Sequence, residues 1–135
     1  MIHEVGLQIG HDSFHKHGAY VIGNADMAGF ARRDQAILAA LVRGHRRKFP
    51  VNEFEMLPAQ SVTPAKRLCV LLRSAVLLNR ARGGPSQPPL AAHAVGKTLR
   101  LKFPENWLSD HPLTLADLEL EKNFLRPAGF VLKFD

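Results

Sequence analysis

The sequence lacks the features that mark several large classes of protein. Its single cysteine, Cys69, excludes an internal disulfide, and its position in an apolar helical run indicates a buried structural thiol rather than a nucleophile. No apolar run of about 18 residues occurs, so no segment is predicted to span a membrane. The first residues contain no basic segment followed by an apolar core, which argues against a secretory signal and predicts a cytoplasmic location.

The motifs of common catalytic sites are also missing. The chain has no G-x-S-x-G elbow, no Walker A sequence, no G-x-G-x-x-G and no C-x-x-C. Aromatic side chains are few, with one Trp, one Tyr and eight Phe, and few of them adjoin the basic runs. A nucleic-acid-binding surface would place aromatic rings there as platforms for base stacking.

Positive charge is unevenly distributed along the chain. The total is 18 Lys and Arg against 12 Asp and Glu, a formal net charge of +6. Residues 1–103 carry 15 basic and 6 acidic side chains, whereas residues 104–135 carry 3 and 6. This asymmetry favours a polyanionic partner for the first part, either a nucleic acid, a phosphate chain or an acidic membrane. A well-solvated surface is the alternative interpretation.

Four of the seven histidines lie between residues 3 and 24. Ser13 is suited to cap a helix that begins at Phe14 and ends near Asn24. His17 follows Phe14 by three residues and is predicted to point inward. An inward imidazole is either a core histidine bonded to a carbonyl or a group that binds metal or phosphate.

A strong helix is predicted over residues 32–48. Its apolar residues repeat with helical spacing, and His45 continues the stripe as a second inward histidine. The end of this helix is strongly basic, which indicates either an anion site or cations placed favourably at the negative end of the helix dipole. The inward residues are Ile37, Leu38, Leu41, Val42 and His45, and the basic residues are Arg43, Arg46, Arg47 and Lys48.

The clearest helix is predicted over residues 64–82, with Thr63 as N-cap and Pro64 in the first turn. The predicted inward stripe consists of Leu68, Leu71, Leu72 and Ala75. Lys66, Arg73 and Arg80 are seven residues apart and would form one basic line along the helix. Such a line suits an extended anion, or it only solubilises an exposed face.

Residues 83–89, GGPSQPP, are predicted to be a linker, after which the apolar period changes to two. Gly96 and Lys97 are predicted to turn a hairpin, with Arg100 and Lys102 on the polar side of its second strand. A helix over about 113–125 and a strand from residue 130 follow. Two further sets are predicted to face inward: Leu99, Leu101 and Phe103 in the strand, and Leu113, Ala116, Leu120 and Phe124 in the helix.

Several segments carry a family resemblance along nearly the whole chain. They are HEVGLQIGHDSFHKHGAYVIGNADMAGF, LAALVRGHRRK, LLRSAVLLNRAR and LADLELEKNFLRPAGF. In this order they resemble the C-terminal region of the exopolyphosphatase and guanosine pentaphosphate phosphatase (Ppx/GppA) family. The resemblance implies an α+β fold: an incomplete HD-like all-helical domain over 1–82, the linker, and a small antiparallel-sheet plus helix domain over 90–135.

The resemblance also implies a function. Family members carry an N-terminal actin-like catalytic domain that hydrolyses the terminal phosphoanhydride of polyphosphate or of the pentaphosphate, and Mg is expected as the divalent metal of the full-length enzyme. This sequence lacks that core, so the fragment is expected to be inactive alone, to contain no cofactor and to bind inorganic polyphosphate in a basic channel. The residues implied for binding are Arg43, Arg46, Arg47, Lys48, Arg73, Arg80, Arg100 and Lys102.

A degenerate HD-like site is the second implication of the resemblance. It would consist of His3, Glu4, His17 and His45, with Glu4 in place of the family's Asp. Because a hydrolytic metal centre needs a full set of ligands, no bound metal is expected. Two other hypotheses remain: a residual metal-dependent HD phosphohydrolase, and a module through which a guanosine pentaphosphate phosphatase forms homodimers.

Overall fold

The structure is a computed structural model that describes residues 13–80 and 90–135. The chain divides into two compact units, Met1–Arg73 and Ser74–Asp135. The linker predicted at residues 83–89 lies outside the described residues. Across those described ranges, no helix is both long enough and apolar enough to cross a membrane.

Helices fill the first part of the chain, and a small sheet with helices forms the last part, which confirms the α+β class. The helices are α1 (Phe14–Asn24), α2 (Arg32–Gly44), α3 (Val51–Glu55), α4 (Ala59–Arg80), α5 (Trp107–Asp110) and α6 (Pro112–Leu125). The strands are β1 (Ala91–Val95), β2 (Thr98–Lys102) and β3 (Val131–Phe134).

The α1 helix begins after Ser13, as predicted, but without a side-chain cap. Ser13 has a left-handed backbone, with φ of 59°, and its carbonyl accepts hydrogen bonds from the amides of Lys16 and His17. The other end of α1 is tied to α2, because the Gln35 side chain donates to the carbonyls of Ile22 (2.6 Å) and Ala25 (2.7 Å). These bonds fix α1 against the helix that precedes the basic segment.

The α2 helix ends at Gly44, four residues earlier than predicted. At this point the chain packs tightly in the first unit. A Cβ on Gly44 would lie 2.9 Å from Cys69 Sγ and 3.0 Å from Phe54 Cε2. Cys69 and Phe54 are both fully buried, so the structural thiol predicted from the sequence is confirmed. Only glycine allows this close approach.

The face that α4 buries differs from the predicted one. Leu68 and Leu71 are about half exposed, at 50% and 48%. The predicted inward stripe was therefore wrong: α4 packs with Cys69, beside Gly44, on its buried side, and the leucines at 68 and 71 lie off that side. The buried stripe instead follows the spacing i, i+4, i+8 and i+12 and consists of Ala65, Cys69, Arg73 and Leu77.

Arg73 is a charged residue inside the first unit, with only 2% of its surface exposed. Its guanidinium donates hydrogen bonds to the carbonyls of Gly44 (2.5 Å) and Arg47 (2.6 Å) and lies 5.8 Å from the ring of Phe49. The last carbonyls of a helix have no donor within the helix. Arg73 therefore satisfies the end of α2 and holds the turn that follows it.

The second unit contains a mixed three-stranded sheet in the order β1-β2-β3. As predicted, β1 and β2 form a hairpin through Gly96 and Lys97, and Gly96 has a φ of 60° that glycine tolerates well. However, β3 runs parallel to β2, so the expectation of a purely antiparallel sheet was wrong. A parallel neighbour requires a crossover connection, which α5 and α6 provide.

The sheet buries one face as predicted, whereas α6 does not. Leu99, Leu101 and Phe103 are all at most 5% exposed. In α6, Leu113 is 83% exposed and Leu120 is 50% exposed, so the predicted stripe was wrong. The buried side of α6 consists of Thr114, Leu118, Glu121 and Leu125. Two of the four buried residues are polar, so the spacing of the apolar residues in the sequence predicted the wrong face of α6.

The close approach at Gly44 predicts that Gly44→Ala destabilises the protein. The added methyl group would overlap Cys69 and Phe54, and overpacking of this kind costs about 1–3 kcal/mol. Gly23→Ala is the matched control, because its Cβ would only contact Ala39 at 3.8 Å, and alanine favours helix by up to about 1 kcal/mol. Urea unfolding of both variants measures the two free energies. Equal effects of the two changes would contradict this account.

The buried guanidinium predicts that Arg73→Met lowers the free energy of unfolding by about 3 kcal/mol. Methionine fills similar space but leaves two carbonyls without the charged donor, and each such bond contributes roughly 1.5–3 kcal/mol. Arg67→Met, at an exposed position of α4, is expected to change stability by less than about 0.5 kcal/mol. Chemical denaturation compares the variants, and similar stabilities would show that Arg73 does not hold the turn.

Candidate functional site

The residues around the end of α2 and the beginning of α1 form a cluster, here called the histidine cluster: Phe14, His15, His45 and Arg46. His45 is buried, as predicted, and its Nδ1 donates to the carbonyl of Val42 at 2.6 Å. The rings of His15 and His45 are 6.3 Å apart and nearly perpendicular. The guanidinium of Arg46 lies 4.8 Å above the ring of Phe14.

His17 does not belong to the histidine cluster, so its predicted inward orientation was wrong. The buried positions of α1 are Phe14, His15, Gly18 and Ile22, with spacing i, i+1, i+4 and i+8. This stripe includes the residue directly after Phe14 and leaves His17 exposed. The spacing from His15 to Gly18 and Ile22 was the sequence signal for the correct face. Glycine at the middle position weakened that signal because it adds no apolar side chain.

His15 lies in an electropositive and poorly solvated environment. The pKa of His15 is lowered from 6.5 to about 4, chiefly because burial disfavours the imidazolium. The positive charges of Arg43, Arg46 and Arg47, and the electrostatic interaction with the neighbouring ring of His45, lower it further. His15 is therefore neutral at pH 7, and the potential at the cluster favours an anion.

The residues that follow α2, His45 to Lys48, are here called the basic turn. Arg46 is partly buried over Phe14, whereas Arg47 and Lys48 are exposed. Arg47 has a left-handed backbone, with φ of 60°, and its carbonyl accepts the bond from Arg73. Within residues 13–80 and 90–135, no carboxylate forms an ion pair with Arg47 or Lys48. These two cations are available to an external anion.

Two other cations predicted to bind phosphate have protein partners. Arg43, beside the basic turn, forms an ion pair with Glu53 at 3.0 Å. Arg73 is buried against backbone carbonyls, so its proposed place in an exposed basic line was wrong. Lys66, the first member of that line, pairs with Glu55. The line along α4 therefore does not exist as a row of exposed cations.

The remaining predicted site residues are exposed or lie outside the described residues. Arg80 is exposed in α4, and Arg100 and Lys102 are exposed on β2. His3 and Glu4 fall outside the described residues, so the degenerate HD pair stays a prediction. In the described part of the chain, no three His, Cys, Asp or Glu side chains are grouped to hold a metal ion.

The lowered pKa of His15 predicts that the protein loses stability in acid. Below pH 6.5 the unfolded chain binds a proton that folded His15 binds only near pH 4, so stability falls between these values and the loss is complete below about pH 4. The shift corresponds to about 3 kcal/mol. Urea unfolding across this pH range measures the decline.

The variant His15→Gln is expected to remove this component of the decline, because glutamine does not titrate. His17→Gln serves as the control, since His17 is exposed on the other side of α1 and lies outside the cluster. Its free energy of unfolding should fall with decreasing pH as steeply as that of the unmodified chain. If the free energies of unfolding of His15→Gln and of the unmodified chain fall in parallel as the pH is lowered, His15 is not the group that causes the loss of stability.

Comparison with known proteins gives consistent results along the chain. The family model described as Ppx/GppA phosphatase, domain III, matches residues 1–122. Proteins named guanosine-5'-triphosphate,3'-diphosphate pyrophosphatase are similar to this chain. The one from Pseudoalteromonas translucida is 34% identical over 97% of the chain and 26% of its own length, and the one from Vibrio parahaemolyticus is 35% identical over 97% and 26%.

A third relative, from Vibrio atlanticus, has the same name and is 34% identical over 99% of the chain and 27% of its own length. The chain thus spans about a quarter of the length of these relatives. Both the family model and the relatives cover the histidine cluster and the basic turn. The chain belongs to the Ppx/GppA phosphatase family.

Proposed function

We propose that this chain is the phosphate-chain-binding part of a cytoplasmic phosphoanhydride hydrolase, with inorganic polyphosphate as its ligand. The observation that carries the proposal is the basic turn, in which Arg47 and Lys48 are exposed and the charge of Arg47 acts on the neutral His15. Hydrolysis is assigned to an actin-like catalytic domain with its divalent metal, Mg. The role of the present residues is to bind and position the phosphate chain.

The rigidity of the basic turn supports this role. Arg73 holds the carbonyls of Gly44 and Arg47, so the backbone between them has little freedom. Arg46 is positioned further by its contact with Phe14. Less conformational entropy is lost on binding when the contacting residues are already ordered. The exposed cations therefore occupy defined positions before a ligand arrives.

The chemistry of the turn suits phosphate. Arginine makes bidentate hydrogen bonds to phosphate oxygens, and lysine adds a compact positive charge. Each contact displaces counterions from a polyanion, which makes the affinity strongly dependent on salt. An anion bound here would also lessen the repulsion that His15 feels from Arg46 and Arg47. Binding is therefore expected to raise the pKa of His15.

The choice of ligand rests on shared chemistry. The name of the relatives refers to guanosine-5'-triphosphate,3'-diphosphate, which contains a chain of phosphoanhydride-linked phosphates. Polyphosphate extends the same linkage over many more phosphates. Because the basic turn presents cations and no nucleobase pocket is evident in its described contacts, we assign to it the phosphate chain rather than the nucleoside. Affinity should then rise with chain length.

The double variant Arg47→Gln and Lys48→Gln tests the proposal. Loss of two exposed phosphate contacts is expected to weaken polyphosphate binding roughly tenfold at low salt and to flatten its salt dependence. Calorimetric titration of the 135-residue chain with polyphosphates of increasing length, at two salt concentrations, provides the measurement.

The double variant Arg67→Gln and Arg126→Gln is the control, because it removes the same charge from two other exposed positions. It should bind nearly as well as the unmodified chain. If the control binds polyphosphate as weakly as the test variant, the loss of affinity comes from net charge alone. If the affinity of the unmodified chain does not rise with polyphosphate length, the proposal is refuted. A titration of His15 by NMR should show its pKa rising when polyphosphate is added.

A further inference from the structure

We infer that the solvent-facing side of the three-stranded sheet is a second contact site for a phosphate chain, formed by basic residues on all three strands. This sheet row consists of His93, Arg100 and Lys133. The inference rests on the proposed function for the identity of the ligand. Its position in the second unit makes it separable from the basic turn by mutation.

The strand register places the sheet row on one side of the sheet. His93 on β1 pairs with Arg100 on β2, and Arg100 is in register with Lys133 on β3. Residues in register on neighbouring strands share a face and lie about 5 Å apart. The opposite face buries Leu99 and Leu101, and all three members of the row are exposed. Three potentially positive groups thus lie side by side.

This arrangement is electrostatically unfavourable without a ligand. Like charges on directly opposed residues destabilise a sheet, and Arg100 lies beside Lys133. In the part of the chain that the structure describes, neither residue forms an ion pair with a carboxylate. A bound anion would offset the repulsion. The row therefore has the charge distribution expected of a surface that binds an extended anion across the strands.

The neighbouring charges determine which part of the sheet row has the strongest positive potential. Lys102 follows Arg100 on the same side of β2, two residues further along. The alternation of β3 puts Asp135 on that side as well, in line with Lys102, so this end of the surface carries a carboxylate. The strongest positive potential therefore lies across Arg100 and Lys133, with His93 able to donate a hydrogen bond from β1.

The rest of this face favours a phosphate chain over a nucleic acid. A shallow cleft of about 570 Å³ runs along β1 and β2, and its lining combines small or apolar residues with basic ones. Apart from His93, no side chain on the outward side of these strands is aromatic, whereas single-stranded nucleic acids are bound by stacking their bases on aromatic rings. The non-basic outward residues are Ala91, Val95, Thr98 and Val131.

The double variant Arg100→Gln and Lys133→Gln tests the inference. Calorimetric titration with polyphosphate of one defined length is expected to show roughly tenfold weaker binding at low salt and a shallower salt dependence. The charge-matched control is again the pair Arg67→Gln and Arg126→Gln, which should bind like the unmodified chain. Because the test variant removes the repulsion between Arg100 and Lys133, urea unfolding should show it to be at least as stable as the control, so its weaker binding would not come from unfolding.

The outcomes separate this inference from the proposed function. If only the variant of Arg47 and Lys48 loses affinity, the sheet row is not a contact site, and the proposed function stands. If only the variant of Arg100 and Lys133 loses affinity, the sheet row stands, and the role of the basic turn is refuted. If the unmodified chain binds no polyphosphate, both fail. A single-stranded RNA of equal charge that binds more tightly than polyphosphate would overturn the assigned ligand.

Discussion

The hydrogen bonds from the Arg73 guanidinium to the carbonyls of Gly44 and Arg47 hold together the part of the chain on which the candidate site depends. A buried arginine is costly to desolvate, and it is retained where it satisfies acceptors that would otherwise lack a donor. Here those acceptors are the end of α2 and the turn that follows it. The same residue that was expected to bind phosphate directly instead orders the backbone that presents Arg46, Arg47 and Lys48.

The electrostatics of the histidine cluster follow from this arrangement. Bringing the end of α2 against α1 buries His15 and His45 and surrounds them with arginines. The positive potential at the cluster comes from Arg43, Arg46 and Arg47, and His15 adds no charge to it because its imidazole is neutral at pH 7. On the sheet of the second unit, Arg100 and Lys133 lie in register, which places two positive charges side by side. Each surface is thus electropositive for its own physical reason.

The sequence predicted the positions of most elements, but it was less successful in predicting the directions of their side chains. The hairpin at Gly96, the buried strand face of Leu99 and Leu101, and the inward His45 were all correct. In α4, apolar residues occur on most sides, so the leucines did not identify the buried face. The buried face is instead the one that places Cys69 against Gly44, where the absence of a Cβ on the glycine allows the close approach. In α6, Thr114 and Glu121 take inner positions that hydrophobic periodicity would assign to leucine.

By itself, the sequence determined the α+β class, the approximate limits of the main helices and strands, the asymmetry of charge and the family resemblance. These depend on local propensities, on composition and on residue order, all of which are present in the chain before it folds. The tertiary structure alone decided that Arg73 lies inside, that His15 rather than His17 joins His45, and that β3 pairs parallel to β2 beside Arg100. Whether a cationic side chain faces solvent or a backbone carbonyl depends on which surface packs against it. That surface is formed by residues that are distant in sequence.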